Sequence, residues 1–140
     1  MCASGGRQAM NSFSYEDFEC WQEARELMYR IYKCFQEELD NHCESPLVEC
    51  MIDAVLSMME KVLGGWSSAS TEEFVDYLEK ARPLCMRLMA FLQVSADQKE
   101  ITPEQHAPLK VQCQKTLKCV EDYLATLQKP PDGAADSDPP

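Results

Sequence analysis

Histidine and glycine are scarce in this chain of 140 residues, with 2 and 5 copies respectively. Di-iron bundles require Glu-x-x-His motifs, and the residues three positions before the two histidines are Leu39 and Pro103. Loops that cradle a phosphate require patterns such as Gly-x-x-x-x-Gly-Lys, which Gly64-Gly65-Trp66 does not match. The sequence therefore contains neither a di-iron motif nor a nucleotide-binding loop.

Cysteine is abundant, with 8 residues, but no two of them form a Cys-x-x-Cys pair. The most recognisable zinc spacing is therefore absent. His42, Cys43 and Cys50 form a partial ligand set without a fourth member, so we expect no metal and no cofactor. Cys43 also lacks a base held in place by a third group, which a nucleophilic catalyst requires. We expect no catalytic residues and no enzyme activity.

Long apolar runs are missing as well. No segment approaches the roughly 20 apolar residues of a membrane span, and the N-terminus lacks the apolar core of a signal peptide. We expect a cytoplasmic protein with reduced cysteines and no membrane partner. The alternative is a secreted, cytokine-like bundle with disulfides, which eight titratable thiols in the denatured, unreduced protein would exclude.

What the chain does contain is an apolar ladder, repeated four times, with alternating steps of three and four residues. This spacing keeps one side chain per turn on a single helix face, and only another apolar face can bury it. The pattern predicts an all-α, antiparallel up-down-up-down four-helix bundle over residues 14–128. The ladders are Trp21, Ala24, Met28, Ile31, Phe35; Val48, Ile52, Val55, Met59, Val62; Phe74, Leu78, Ala81, Cys85, Leu88, Leu92; and Cys113, Leu117, Val120, Leu124, Leu127.

Each ladder follows a helix start signal, a side chain that accepts a hydrogen bond from a first-turn N–H. These residues are Ser14, Ser45, Ser70 and Thr102, and the last two open capping boxes. The helix ends are less regular. Gly64-Gly65 predicts a left-handed end to the second helix, whereas the third is expected to fade after Ser95.

Proline and the two ends of the chain complete the layout. Pro83 and Pro108 fall inside the third and fourth helices, and each predicts a kink because it removes a backbone hydrogen bond. Residues 1–13 and the acidic, proline-rich residues 129–140 have no ladder, so both are expected to be disordered.

Three motifs resemble the bacterial four-helix-bundle proteins encoded in intervening sequences of large-subunit ribosomal RNA genes. The matching segments are Phe18-Glu19-Cys20-Trp21-Gln22-Glu23-Ala24-Arg25-Glu26-Leu27 with Ile31-Tyr32-Lys33, Gly65-Trp66 followed by Ser70-x-x-Glu73-Phe74-x-x-Tyr77-Leu78-x-x-Ala81, and Ile101-Thr102-Pro103-Glu104-Gln105. The resemblance covers roughly residues 15–128. Where the family has an Asn-x-x-Glu-Gly turn, this chain has Lys61-Val62-Leu63-Gly64-Gly65, so only Gly65 carries over.

The same fold group includes the accessory variability determinant proteins of diversity-generating retroelements. The resemblance therefore implies a bacterial homo-oligomer, expected to be a pentamer, that binds nucleic acid or a nucleoprotein. In a retroelement, its partners would be a reverse transcriptase, or another basic protein, and RNA. The alternative that the sequence leaves open is a protein-only adaptor or scaffold with acidic surfaces and no nucleic-acid binding.

Charge limits where a nucleic acid can bind. The chain has 13 basic and 24 acidic residues, a net charge of −11, which is unfavourable for phosphate binding. The acidic run Glu37, Glu38, Asp40, Glu44, Glu49 and Asp53 contains no base and suits a basic protein partner. The candidate nucleic-acid-binding residues are Arg25, Arg30 and Lys33 on the first helix and Lys110, Lys115 and Lys118 on the fourth. Ordinary solvated helix faces with intrahelical ion pairs are the alternative.

Several large apolar residues flank the ladders, where a monomer would expose them. Contiguous exposed apolar patches usually mark interfaces, and a head-to-tail contact that closes by rotation gives a ring. The candidate oligomer-interface residues are Tyr29, Tyr32, Met86, Met89 and Phe91, with Leu56, Met58 and Val75 also on the flanks. Scattered surface hydrophobes are the alternative.

Overall fold

The computed structural model describes residues 14–41 and 45–128, which form four long helices and no strand. The helices are α1 (Glu19–Cys34), α2 (Pro46–Trp66), α3 (Thr71–Asp97) and α4 (Pro103–Gln128). A 3-10 turn, Tyr15–Asp17, precedes α1, and a short helix, Gln36–Asp40, continues it. The segments 1–13 and 129–140, for which disorder was predicted, lie outside the described residues.

The four helices form a closed square, in which α1 packs against α2 and α4, and α3 packs against the same two helices. Short connections make successive helices antiparallel, which confirms the predicted all-α four-helix bundle. At one end, Phe18 stacks on Trp66 with ring centroids 5.1 Å apart, and its edge contacts with Phe74 and Tyr123 are 5.7 and 4.9 Å. This aromatic cluster ties all four helices together where α1 begins and α4 ends.

The ladder on α3 is buried in full. Its six residues, Phe74, Leu78, Ala81, Cys85, Leu88 and Leu92, all lie in the core. Ile31, the fourth residue of the first ladder, and Val55, at the centre of the second, have no exposed surface. The core is therefore built from the predicted stripes wherever a helix has one dominant apolar face.

The predicted ladders on α1 and α2 do not follow the centre of the buried face of each helix. Trp21 and Met28 are only partly buried, whereas Leu27, which is next to Met28, is fully buried. On α2, Met58 is fully buried although it was expected on an exposed flank, and Met59 is the partly exposed neighbour. Each helix contacts two others, so its buried stripe is wider than one residue per turn. Where two apolar residues are adjacent, spacing alone cannot decide which one faces inward.

The expected left-handed glycine end of α2 is wrong. The helix continues to Trp66, and neither Gly64 nor Gly65 has a positive φ. These glycines instead allow α3 to approach closely. A Cβ atom on Gly65 would lie 2.8 Å from Cδ1 of Phe74, and one on Gly64 would lie 2.6 Å from Cε1 of Tyr77.

The end of α3 is sharper than the expected gradual fading. Lys99 has a φ of 65°, the Glu100 N–H donates to the Ser95 carbonyl at 2.9 Å, and the Lys99 N–H donates to Ala96 at 3.0 Å. This is a Schellman motif in which lysine takes the left-handed position that glycine usually occupies. The chain therefore turns abruptly into α4.

The predicted helix starts are confirmed at α2, α3 and α4. The hydroxyl oxygens of Ser45, Ser70 and Thr102 accept hydrogen bonds from first-turn N–H groups at 3.2, 3.1 and 3.1 Å. Ser14 is the exception, because it caps the 3-10 turn and α1 begins later, at Glu19. A short turn thus precedes α1 where continuous helix was expected.

Both internal prolines lie within continuous helices. Pro83 is inside α3 and Pro108 is inside α4, and both side chains are exposed. Each leaves the carbonyl four residues earlier without its usual N–H donor, on a helix face that reaches solvent. The helices therefore continue through both positions.

None of the helices described has the length and apolar character of a membrane-crossing segment.

Candidate nucleic-acid interface

The α1–α4 seam, the line along which these two antiparallel helices pack, has a groove near each end. The Lys33 groove has a volume of about 310 Å³ and is lined by Arg30, Lys33, Cys34, Gln105, Pro108 and Leu109. The Lys115 groove has a volume of about 550 Å³ and is lined by Glu19, Glu23, Lys115, Lys118, Cys119, Asp122, Tyr123 and Thr126. The packing of the first helix against the last thus places four of the six predicted basic residues on one face.

Two of these four bases are held by neighbours on their own helix. Arg30 Nε lies 2.7 Å from Glu26 Oε2, and Lys118 Nζ lies 3.1 Å from Asp122 Oδ2. Both ion pairs are exposed, and such pairs contribute roughly 0–1 kcal/mol. These two ion pairs are the arrangement expected for the alternative, an ordinary solvated helix face.

Lys33 and Lys115 differ from them. Both side chains are exposed, and neither forms an ion pair with another residue of the described segments. Each points along a different groove of the same seam. They are therefore the two cations of the seam best placed to meet an external phosphate.

The remaining two predicted bases, Arg25 and Lys110, line neither groove. On α1, Arg25 shares a face with Tyr29 and Tyr32, which follow it at helical spacings of four and seven residues. Lys110 is on the flank of α4 that faces α3, since Gln128, five helical turns later, donates to Glu79 of α3 at 3.2 Å. The structure does not bring these two residues together with the other four.

A buried polar network crosses the middle of the seam. Gln112 and Thr116 are almost fully buried on α4. The Gln112 amide donates to the Glu23 carbonyl at 3.1 Å and to its carboxylate at 2.7 Å, and the Thr116 hydroxyl lies 3.2 Å from the same carbonyl. Because burying an unpaired polar group is costly, this network fixes the register of α4 against α1.

A pair of thiols lies beside this network. The Cys20 Sγ donates to the Cys119 Sγ across the seam at 3.5 Å. This hydrogen bond is the largest cause that raises the pKa of Cys20, with burial second, and it lowers the pKa of Cys119. Burial and the Glu19, Glu23 and Asp122 carboxylates oppose that lowering. Cys119 is therefore the more acidic thiol of the pair, and it lines the Lys115 groove.

The predicted oligomer-interface residues lie on several faces. Tyr29, Tyr32 and Met86 are exposed, whereas Met89 and Phe91 are only partly exposed and pack against the core. The two tyrosines share one face of α1, and the other three residues belong to α3. These five residues are therefore divided between two helices that are not neighbours in the square, and other exposed apolar side chains lie on α2 (Leu56) and α4 (Val111).

Within residues 14–41 and 45–128, no group of three histidine, cysteine or acidic side chains is arranged to hold a metal ion. Cys50, one member of the partial ligand set considered above, is exposed on α2. The other two members, His42 and Cys43, lie outside the described residues.

These features describe a small helical bundle with basic side chains in two grooves between its first and last helices. The chain belongs to the 23S rRNA-intervening sequence protein family, whose model matches residues 16–122. A crystal structure from Bacteroides thetaiotaomicron VPI-5482, a protein of unknown function from the S23 ribosomal protein family, is similar with a TM-score of 0.71. The likeness covers 78% of this chain and 97% of that chain at 15% sequence identity. Comparison with curated proteins gives no match.

Sequence reasoning missed the residues that connect the two helices of the seam. Gln112 and Thr116 are polar and each stands one position before a residue of the α4 ladder, and only their spacing of four signals a shared face. Cys20 and Cys119 are separated by 99 positions, and nothing local indicates that they meet. These contacts depend on the packing of α1 against α4, which the sequence does not specify.

Proposed function

We propose that the protein is a non-catalytic, self-associating subunit of a ribonucleoprotein, and that its α1–α4 seam binds the phosphate backbone of RNA. The observation that carries this proposal is the alignment of Arg30 and Lys33 in one groove with Lys115 and Lys118 in the other. Phosphate contacts supply much of the affinity for nucleic acids by releasing counterions. The family description, which refers to 23S rRNA intervening sequences, supports RNA as the class of partner.

The distribution of charge favours the α1–α4 half of the bundle over the α2–α3 half. Helices α1 and α4 together contain six acidic and six basic residues, whereas α2 and α3 contain eight and four. An RNA strand is therefore repelled least by the half of the bundle that contains both grooves. Lys33 and Lys115 strengthen this preference because they are not neutralised by ion pairs within the described segments.

Self-association would bring several copies of the seam into one assembly. Tyr29 and Tyr32 on α1 and Met86 on α3 are exposed at 56%, 47% and 54%, and their positions on opposite sides of the square suit a head-to-tail contact. A closed ring of copies, a pentamer in our proposal, would present several seams to one RNA and raise its avidity without new contacts. Light scattering coupled to size exclusion tests this, because a mass near the 15.9 kDa of one chain would contradict assembly.

The RNA experiment compares two double variants of equal charge. Binding of a fluorescein-labelled RNA hairpin is followed by anisotropy over a series of salt concentrations. Lys33→Gln with Lys115→Gln should weaken binding and reduce the slope of log affinity against log salt by about 2. Arg25→Gln with Lys110→Gln removes the same charge away from the grooves and should leave most of the affinity. Equal losses in both variants, or no binding by the unmodified protein, would contradict the seam as the site.

The excess of acid on α2 and α3 favours a second candidate, a protein-only adaptor for a basic partner. In the retroelement version of the first proposal, the same surface would contact a reverse transcriptase while the seam holds the RNA. The two candidates differ in one measurable respect. An adaptor would bind a basic protein with an affinity that Lys33→Gln with Lys115→Gln leaves unchanged, and it would show no salt-dependent binding to the RNA hairpin.

A further inference from the structure

We propose that Cys119 is a site of oxidation by peroxide, and that Cys20 resolves the oxidised sulfur by forming a disulfide across the α1–α4 seam. This inference does not depend on RNA binding. It rests on the geometry of two thiols from opposite ends of the chain that lie 3.5 Å apart, sulfur to sulfur. A disulfide requires about 2.05 Å between the sulfurs, so a small approach of the two side chains completes the bond.

The two thiols differ in access as the chemistry requires. Cys119 is partly exposed and lines the Lys115 groove, which is large enough to admit a molecule the size of hydrogen peroxide. Cys20 has no exposed surface and meets solvent only through its partner. The oxidant therefore reaches Cys119 first, and the buried thiol is already in place behind it.

The hydrogen bond between the thiols supports the same order of events. Cys20 donates to Cys119, which favours the thiolate at Cys119 and lowers its pKa. The thiolate is the form that attacks an oxidant. The carboxylates of Glu19, Glu23 and Asp122 and partial burial act in the opposite direction, so they moderate the effect.

The reaction balances with one molecule of hydrogen peroxide. The Cys119 thiolate attacks one peroxide oxygen, the O–O bond breaks, and the departing hydroxide takes up the proton that Cys119 had lost and leaves as water. The Cys119 sulfur is then a sulfenic acid. The Cys20 sulfur attacks it, the S–O bond breaks, and the hydroxyl group leaves as water with the Cys20 proton. Two thiols lose two electrons in total, and the peroxide is reduced to two waters.

Cys50, Cys85 and Cys113 do not combine access to solvent with a neighbouring thiol in the described segments. Cys85 and Cys113 are fully buried in the core, and burial raises the pKa of each thiol to about 12. Cys85 also donates to the Met58 sulfur at 3.1 Å. Cys50 is exposed on α2 and makes no hydrogen bond with another described residue, so no thiol within residues 14–41 and 45–128 is placed to resolve an oxidised Cys50.

The test treats the full-length protein with hydrogen peroxide, alkylates the remaining thiols in denaturant and maps the peptides by mass spectrometry. We expect a linked Cys20–Cys119 peptide and the loss of two of the eight titratable thiols. With Cys20→Ala, the sulfenic acid at Cys119 should persist and react with dimedone. Cys50→Ala, the control, should behave as the unmodified protein does.

The unmodified protein decides the question even if Cys20→Ala does not fold, since peptide mapping requires no variant. Free Cys20 and Cys119 after peroxide treatment that oxidises Cys50 would overturn the proposal. A disulfide from Cys119 to a cysteine other than Cys20 would overturn it as well. Formation of the Cys20–Cys119 bond should also raise the thermal midpoint, and dithiothreitol should reverse that rise.

Discussion

The α2–α3 contact and the α1–α4 seam hold their helices together in different ways. The first is close and apolar, with Gly64 and Gly65 allowing aromatic rings of α3 to lie against the α2 backbone. The second contains a buried amide, a buried hydroxyl, two facing thiols and a groove near each end. The two contacts therefore have different roles in the bundle. The α2–α3 half supplies tight packing, and the seam supplies polar groups that reach the surface.

The largest expected effect is in the core of the α2–α3 half. Leu88→Ala should destabilise the protein by about 2–5 kcal/mol, because the fully buried side chain leaves a cavity. Leu109→Ala, in α4 at the edge of the Lys33 groove, should cost less because the adjacent open space lets the site relax. Urea unfolding measures both. An equal or larger loss at Leu109 would show that the seam is packed as tightly as the rest of the core.

The close approach of α3 to α2 should fail when a side chain is added. Gly65→Val should cost about 1–3 kcal/mol, since the new atoms collide with the buried ring of Phe74. Gly64→Val is the matched variant and should cost less, because Tyr77 is 37% exposed and can move outward. Thermal unfolding of both variants is the measurement, and the opposite ranking would mean that Tyr77 is the constrained ring.

The polar network of the seam should stabilise the fold only modestly. Gln112→Leu removes a hydrogen bond to the Glu23 carboxylate and should cost about 1.5 kcal/mol. The Thr116 hydroxyl is 2.9 Å from the Gln112 carbonyl and 3.2 Å from the Glu23 carbonyl, and both backbone acceptors remain in that variant. Urea unfolding beside Leu88→Ala tests the comparison directly. A larger loss of stability for Gln112→Leu than for Leu88→Ala would show that the seam contributes more to the free energy of unfolding than the α2–α3 half does.

Alkaline pH should weaken both halves through buried thiols. The folded pKa of Cys85 on α3 and of Cys113 on α4 is about 12, raised by burial from 9.0. Between these values the unfolded chain loses protons that the folded chain retains, so stability is full below about pH 9 and falls as the pH rises. Each thiol should contribute a loss of about 1.4 kcal/mol per pH unit in that window.

Cys113→Ala should flatten this pH dependence, because it removes one of the two buried thiols with a raised pKa. Unfolding in urea over a series of alkaline buffers supplies the slopes. Identical slopes for Cys113→Ala and the unmodified protein would show that Cys113 ionises as readily in the folded state as in the unfolded one.

The smallest effect is expected at the start of α3. Ser70→Ala should cost about 1 kcal/mol, because the Glu73 N–H loses the acceptor that caps it. Ser67→Ala is the control, since Ser67 does not cap α3 and its hydroxyl donates only to carbonyls of α2. The absence of any shift in the unfolding midpoint for Ser70→Ala would mean that solvent replaces the cap.

The sequence predicts the α2–α3 half better than the seam. The α3 ladder is buried at all six positions, because one apolar face determines its orientation. The seam depends on Gln112 and Thr116, which are polar residues in a buried stripe, and on helix neighbours that periodicity does not specify. The end of α3 could not be predicted from the sequence. Glycine would have indicated a left-handed residue at this position, but the residue there is Lys99.

The basic residues show the same limit. Their placement on α1 and α4 was read from the sequence, but the separation of Arg25 and Lys110 from the other four depends on helix rotation about each axis. Spacings of three and four place Arg30 near Lys33, whereas only the packing of α1 on α4 adds Lys115 and Lys118 to that face. The helix on which each candidate base lies follows from the sequence, whereas the grouping of four of them in two grooves does not.

The pairing of the first helix with the last also sets an order of folding. Gly65 and Phe74 are close in sequence, whereas Glu23 and Gln112 are 89 positions apart and Cys20 and Cys119 are 99 apart. Contacts between distant positions require a larger loss of chain entropy and form later than local ones. During synthesis, α4 leaves the ribosome after α1, α2 and α3. We therefore expect the thiol pair and both grooves to form at the last step of folding, when α4 closes the square.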